Sequence, residues 1–125
     1  MEWTPIVGCA YDATIVVGTE SATCDITIQL VDYAGNALTE AASIMAYVSS
    51  DSAGLTTGDF TSMDITSSGA GDCVELLTDI FWNLVSEEDG TIAVTADGSG
   101  TDTMYLNLIM PNGRIVHSDV ITFTA

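Results

Sequence analysis

The sequence contains no lysine, one arginine (Arg114) and one histidine (His117), against eighteen aspartate and glutamate residues, for a formal net charge of −17. Binding to nucleic acid depends on many Lys and Arg contacts with phosphates, and docking on an anionic membrane depends on the same side chains. The composition therefore argues against both functions. The partners that remain are neutral or basic protein surfaces, cations and neutral glycans.

Apolar residues, in contrast, are abundant: they make up 47% of the chain, and the mean hydropathy is +0.38. An acidic disordered chain would be poor in them, and 125 residues are enough for one domain with its own core. No run approaches the roughly 20 apolar residues of a membrane span. The first residues lack the basic and apolar stretches of a signal peptide, so we expect a single domain made in the cytoplasm.

Cysteine is also scarce, with only Cys9, Cys24 and Cys73. An odd number leaves at least one thiol unpaired. No close pair has the spacing of zinc ligands, which argues against a structural zinc site. We expect buried reduced thiols, and a Cys9–Cys24 disulfide is the alternative.

The sequence pattern is typical of a chain of short strands separated by turns. Alternation is clearest at 23–32, where Cys24, Ile26, Ile28 and Leu30 share one face, and this period of two predicts a half-buried strand. Similar patterns predict strands at 13–18, 43–49, 73–77, 80–86, 91–96, 103–110 and 115–124, with one more around 60–66.

Two features near the C-terminus concern strand pairing. Asn112 and Gly113 between two predicted strands favour a type I′ hairpin turn. In the last strand, the apolar parity slips between Val116 and Ile121, which predicts a β-bulge near His117–Asp119.

The pattern predicts an all-β fold, an antiparallel immunoglobulin-like β-sandwich of seven to nine short strands, with a jelly roll as the alternative. We assign residues 1–12 to an N-terminal arm and 13–125 to a single sandwich domain. Residues 50–72 are rich in Ser, Thr, Gly and Asp and predict a long loop excursion. Loops of this length are usually functional or form interfaces.

Catalytic chemistry has little support in the sequence. A Ser-His-Asp triad could use only His117, whose neighbours Ser118 and Asp119 alternate in direction along a strand. Glycine-rich phosphate-binding motifs and zinc-protease motifs are lacking. We therefore predict no catalytic residues, no cofactor and no enzymatic activity.

Calcium is the more serious chemical option, because hard cations bind clusters of oxygen ligands. The acidic turn at 87–89 and the pair Asp97 and Asp102 supply carboxylates, although neither has the spacing of an EF-hand. Solvated turn carboxylates are the simpler interpretation. If a metal binds, Asp97 and Asp102 are the first candidates.

Isolated large apolar residues in the arm and in the excursion, together with the lone arginine, are candidates for contacts with a partner. They are Trp3, Ile6, Tyr11, Leu55, Phe60, Met63 and Arg114.

Two segments resemble small virion structural proteins of tailed bacteriophages. Residues 26–55 (ITIQLVDYAGNALTEAASIMAYVSSDSAGL) resemble an opening of the form I-x-I-Q-L-x-D-x-x-G-N-x-L, followed by a strand and D-S-A-G. Residues 104–123 (MYLNLIMPNGRIVHSDVITF) resemble the ending, with P-N-G-R and a final strand that closes on I-T-F. These segments cover about half of the chain.

The resemblance implies an immunoglobulin-like capsid decoration (cement) protein that binds the outer surface of the head and stabilises it. The implied partners are the major capsid protein and neighbouring copies, as a homotrimer on the shell, and the implied location is the virion surface. The alternative is an immunoglobulin-like calcium- or glycan-binding module of a bacterial surface protein.

Overall fold

A computed structural model describes residues 9–56, 63–98 and 103–123 of the protein. These residues form ten strands in two antiparallel sheets: β1 Asp12–Glu20, β2 Thr23–Val31, β3 Ser43–Ser49, β4 Asp64–Ser67, β5 Asp72–Leu77, β6 Phe81–Val85, β7 Thr91–Asp97, β8 Thr103–Ile109, β9 Ile115–His117 and β10 Ile121–Thr122. The described part of the chain contains no helix. The predicted all-β antiparallel sandwich is confirmed.

The strand order is that of an immunoglobulin-like sandwich with one insertion. One sheet has the order β1-β2-β7-β4, which corresponds to strands A, B, E and D of immunoglobulin domains. In the other, β9 and β8 lie beside β3, as strands G, F and C do. The β5–β6 hairpin is inserted between β4 and β7 in the chain and extends the second sheet. The alternative jelly roll is therefore not the observed topology.

The core lies between the sheets and follows the predicted alternation. On β2, Cys24, Ile26, Ile28 and Leu30 are buried while their neighbours are more exposed. The same holds at Ile92, Val94 and Ala96 on β7 and at Trp82 and Leu84 on β6. On β8, Met104, Leu106 and Leu108 are buried in the core, and Asn107 between them is buried as well.

The predicted bulge in the last strand is confirmed. Three positions separate Met104 from Asn107 on β8, but four separate their partners Ile121 and His117. The extra residue splits this strand into β9 and β10, so ten strands are observed where seven to nine were predicted. Ser118 bridges the break: its N–H donates to the Leu106 carbonyl at 2.9 Å, and its Oγ accepts from the Leu106 N–H at 2.9 Å.

The prediction of a type I′ turn at Asn112-Gly113 is wrong. That turn needs positive φ at both central residues, but Gly113 has φ +88° and Asn112 does not have positive φ. The Gly113 N–H donates to the Met110 carbonyl at 2.9 Å, and the Met110 N–H donates to the Arg114 carbonyl at 2.8 Å. This is the three-residue hairpin loop with glycine in the left-handed position of a bulge, and the turns ending at Gly35 and Gly90 repeat it.

Candidate interaction surface

The outward side of the six-stranded sheet carries a row of opposed side chains that crosses five strands. Ile115 lies opposite Ile109, Ile109 opposite Met45, Met45 opposite Asn83, and Asn83 opposite Val74. Alternate residues on these strands, such as Ile44, Leu84 and Leu108, are buried in the core. The row therefore faces away from the core.

A second row lies beside the first. It consists of His117, Asn107, Tyr47, Phe81 and Leu77, each opposite the next in register. We call the ten residues of the two rows the apolar face, because seven of them are aliphatic, aromatic or methionine. Met45, Val74, Leu77 and Ile115 are between 39% and 56% exposed.

The apolar face is notable for its lack of charge in so acidic a chain. None of its ten residues is Asp, Glu, Lys or Arg, and the first carboxylate in register is Asp72, one row beyond it on the edge strand β5. The outward side of the four-stranded sheet differs, since Asp25, Asp64 and Asp97 lie there among threonines. The two outer surfaces of the sandwich therefore have opposite character.

A loop at 50–56 covers one end of the apolar face. The Tyr47 hydroxyl donates to the Gly54 carbonyl at 2.8 Å. Gly54 has φ +69°, and a Cβ there would lie 2.7 Å from the Tyr47 hydroxyl and 2.8 Å from Oδ1 of Asn107. Only glycine fits this close approach, and the loop leaves Tyr47 and Asn107 buried.

The carboxylate of Asp51 holds the rest of this loop. It accepts hydrogen bonds from the Leu55 N–H at 3.0 Å and from the Thr56 N–H at 2.9 Å. The bond from Thr56 is the main cause that lowers the pKa of Asp51. Leu55, a predicted interface residue, is 85% exposed at the tip of this bonded loop.

Two other predicted interface residues, Arg114 and Tyr11, lie together at the edge of the sandwich. Nη2 of Arg114 is 3.5 Å from Oδ2 of Asp12, and its guanidinium carbon lies 5.1 Å from the centre of the Tyr11 ring. Tyr11 also packs edge-to-face against Tyr33, with ring centres 5.3 Å apart. The lone arginine thus has local partners within the chain.

Met63 requires a correction. As an isolated apolar residue in a polar stretch, Met63 was predicted to contact a partner, but its side chain is 1% exposed and belongs to the core. It lies directly before β4, whose Ile65 is also buried. Trp3, Ile6, Phe60 and Asp102 lie outside the described residues.

Among the candidates for a metal site, the structure locates Asp97 and the acidic turn at 87–89. Asp97 is exposed at the end of β7 and lies opposite Asp64 and Thr23. Within residues 9–56, 63–98 and 103–123, no three His, Cys, Asp or Glu side chains are grouped as metal ligands. Those ranges also contain no helix long and apolar enough to cross a membrane.

His117 and Ser118 are engaged in separate structural bonds. Nδ1 of His117 lies 2.6 Å from Oδ1 of Asn107. The Ser118 hydroxyl, which is buried, accepts from the Leu106 N–H and donates to the Asp119 carbonyl at 2.8 Å. The two side chains point to opposite sides of the sheet, as expected for neighbours on a strand.

All three cysteines are free thiols, so the alternative Cys9–Cys24 disulfide is not present. Cys24 is buried and Cys73 is partly buried, in line with the prediction of buried thiols, but Cys9 is exposed. Burial is the main cause that raises the pKa of Cys24 and raises that of Cys73 to about 11.

Sequence reasoning missed the apolar face. A signal was present: β6 reads FWNLV, in which large apolar residues occupy both parities. Such a run is typical of a strand covered on both sides. On β6 the inner side chains, Trp82 and Leu84, pack in the core, and the outer ones, Phe81 and Val85, remain partly exposed.

Comparisons with known proteins show distant similarity of fold alone. No protein-family model and no curated protein matches the sequence. Among solved structures, the fold is similar to a crystal structure of domains 4 and 5 of the S-layer protein SbsC, with a TM-score of 0.42 and 14% identity. The match covers 98% of this chain and 54% of that one, so the chain spans about half of that structure's length. Nothing about function follows from a similarity at this level.

Proposed function

We propose that the protein is a structural protein of a bacteriophage virion, a decoration (cement) protein on the outer surface of the head. In this role it binds the major capsid protein and neighbouring copies of itself, has no cofactor and catalyses no reaction. The observation that carries the proposal is the apolar face, since exposed apolar patches on a folded protein mark interaction sites.

The segments that resemble phage virion proteins support the proposal, because they contribute to this surface. Residues 26–55 include β3 and most of the loop at 50–56, in which Asp51 and Gly54 of the D-S-A-G motif make the contacts described above. Residues 104–123 include nearly all of β8 and the whole of β9. The resemblance thus involves six of the ten residues of the apolar face and most of its covering loop.

The charge is compatible with a place on the outside of a shell. A net charge of −17 disfavours contact with packaged DNA, and it keeps an exposed protein soluble. The threonine-rich and acidic side of the four-stranded sheet suits contact with solvent.

Binding to heads that lack the protein tests this proposal. Purified protein is mixed with such heads, and the sample is sedimented and imaged by electron cryo-microscopy. We expect saturable co-sedimentation and regularly spaced density on the outer surface. Absence of binding at saturating protein would overturn the proposal.

The calcium- or glycan-binding alternative is tested on the same preparation. A ligand that binds only the folded state raises the melting temperature by mass action. A rise with millimolar calcium, or binding on a glycan array, combined with no binding to heads, would favour the alternative.

A further inference from the structure

We infer that the apolar face pairs with the same face of a second copy, so that two sandwiches associate through their six-stranded sheets. This contact does not depend on the proposed function. Met45 and Tyr47 lie on β3, the central strand of the five that the two rows cross. A two-fold axis through the middle of the face therefore places Met45 close to its own counterpart.

The distribution of charge selects a second copy as the occupant. Two chains of net charge −17 repel each other, and carboxylates opposed across a two-fold contact would add to the repulsion. The chain has eighteen acidic residues, yet none lies in either row. Asp51 of the covering loop binds the N–H groups of Leu55 and Thr56 within that loop. A basic partner would be recognised by acidic residues on the face, whereas an identical acidic chain requires their absence.

The exposed side chains are suited to this contact. Ile115 and Val74 mark the two ends of the first row, and Met45 lies at its centre. Met45 is flexible and adapts to a neighbouring surface. Leu55 projects from the covering loop. The Tyr47 hydroxyl donates to the Gly54 carbonyl and the Leu55 N–H donates to the Asp51 carboxylate, so the loop is already held in place. Less conformational entropy is therefore lost when Leu55 is buried in the contact.

The size of the face predicts weak association. Five strands spaced about 4.8 Å apart span about 20 Å, and two rows spaced two residues apart cover about 14 Å along the strands, so each copy contributes about 300 Å² of flat area. The total is below the roughly 1,200 Å² of standard stable interfaces, which places the contact among the weak or transient ones.

Sedimentation equilibrium of the full chain tests the inference. We expect a monomer–dimer equilibrium that shifts towards the dimer between about 0.1 M and about 1 M sodium chloride, because the Debye length falls from about 10 Å to about 3 Å and the repulsion is screened. A monomer at every salt and protein concentration, or a trimer as the smallest oligomer, would overturn it.

Substitution of Met45 by residues of opposite charge in two variants tests where the contact lies. Met45→Glu and Met45→Lys each place like charges at the centre of the two-fold contact, and each is expected to weaken self-association at least about 100-fold, because an unpaired charge is buried. An equimolar mixture of the two variants should restore a heterodimer. Failure of the mixture to associate, while the wild type does, would contradict the two-fold arrangement.

Val16→Thr is the matched control. Val16 is an exposed apolar residue on β1, in the other sheet. Val74→Thr and Ile115→Thr make the same kind of change on the apolar face, and we expect at least about tenfold weaker association for each, because burial of an apolar side chain stabilises an interface. Equal effects of Val16→Thr and the face variants would contradict the inference. Melting temperatures confirm that each variant is folded.

The test is separable from that of the proposed function. Dimers in solution without binding to heads would refute the decoration role and support the contact. Binding of the wild type to heads, with no dimer at any salt or protein concentration, would support the decoration role and refute the contact.

Discussion

Nδ1 of His117 lies 2.6 Å from Oδ1 of Asn107, a side chain that is fully buried beneath the loop at 50–56. The orientation of the Asn107 amide follows from its other bonds, because Nδ2 donates to Oγ of Ser49 at 2.9 Å and to the Tyr47 carbonyl at 3.3 Å. Oδ1 is therefore the acceptor, and His117 donates from Nδ1. Asn107 thus joins β3, β8 and β9.

Replacement of Asn107 by alanine is expected to destabilise the protein. The change leaves the buried Ser49 hydroxyl without this donor and opens a cavity below Gly54, so we expect a loss of about 2 kcal/mol in the free energy of unfolding. Urea denaturation measures it. His117→Ala is the control, since His117 is exposed and its loss should cost less than about 1 kcal/mol. Equal losses for the two variants would mean that the buried amide has no special role.

The loop at 50–56 should loosen in acid. The pKa of Asp51 is lowered from its ordinary value of 3.8, mainly by the hydrogen bond from the Thr56 N–H. For a lowered pKa, the stabilisation is present above 3.8 and is lost as the pH falls through the folded-state value. We expect the amide signals of Leu55 and Thr56 to move with a midpoint below 3.8 in NMR spectra.

Asp51→Asn is the control for this titration. The variant has no carboxylate to protonate, so the amide signals of Leu55 and Thr56 should lose this pH dependence. A wild-type midpoint at or above 3.8 would show that the carboxylate does not hold the loop in solution.

Asp64 and Asp97 lie directly opposite each other on β4 and β7, and both are exposed on the outward side of the four-stranded sheet. Like charges in opposed positions destabilise a sheet. We expect Asp64→Asn to raise the free energy of unfolding by about 0.5 kcal/mol at low ionic strength, and the gain to shrink as salt screens the pair. Thermal melts at low and high salt measure the gain in stability. Asp25→Asn is the control, because Asp25 lies opposite Thr95 and its carboxylate accepts a 2.7 Å hydrogen bond from the Thr95 hydroxyl. A gain that does not change with salt would contradict the electrostatic origin.

The fold could be predicted from the sequence where only one face of a strand is buried. The apolar face on the outside of the six-stranded sheet could not be predicted in this way. Alternation on β2 predicts its buried residues directly, because only one parity faces the core. The parity slip between Val116 and Ile121 likewise predicted the bulge. The apolar face depends on which strands become neighbours, since Met45, Ile109 and Val74 are far apart in sequence. Met63 was misassigned because burial at a strand entrance depends on tertiary packing.

Arg114 is expected to contribute little to stability despite being the only fixed cation. Its side chain and that of Asp12 are 47% and 41% exposed, and exposed ion pairs contribute at most about 1 kcal/mol. Arg114→Ala should therefore lower the free energy of unfolding by less than about 1 kcal/mol. A double-mutant cycle with Asp12→Asn measures the pair itself. A coupling well above that figure would show that the pair is stronger than its exposure suggests.

The three thiols should react at very different rates. Cys9 is exposed, whereas Cys73 has a pKa of about 11, and its Sγ lies 3.3 Å from the Ile65 carbonyl. Since the thiolate is the nucleophile, about one Cys73 side chain in a thousand is reactive at pH 8. With Ellman's reagent we expect one fast thiol in the folded protein, none in Cys9→Ser, and three in the unfolded wild type. A single reactive thiol after unfolding without reductant would instead reveal a disulfide between two of the cysteines, such as the Cys9–Cys24 pair.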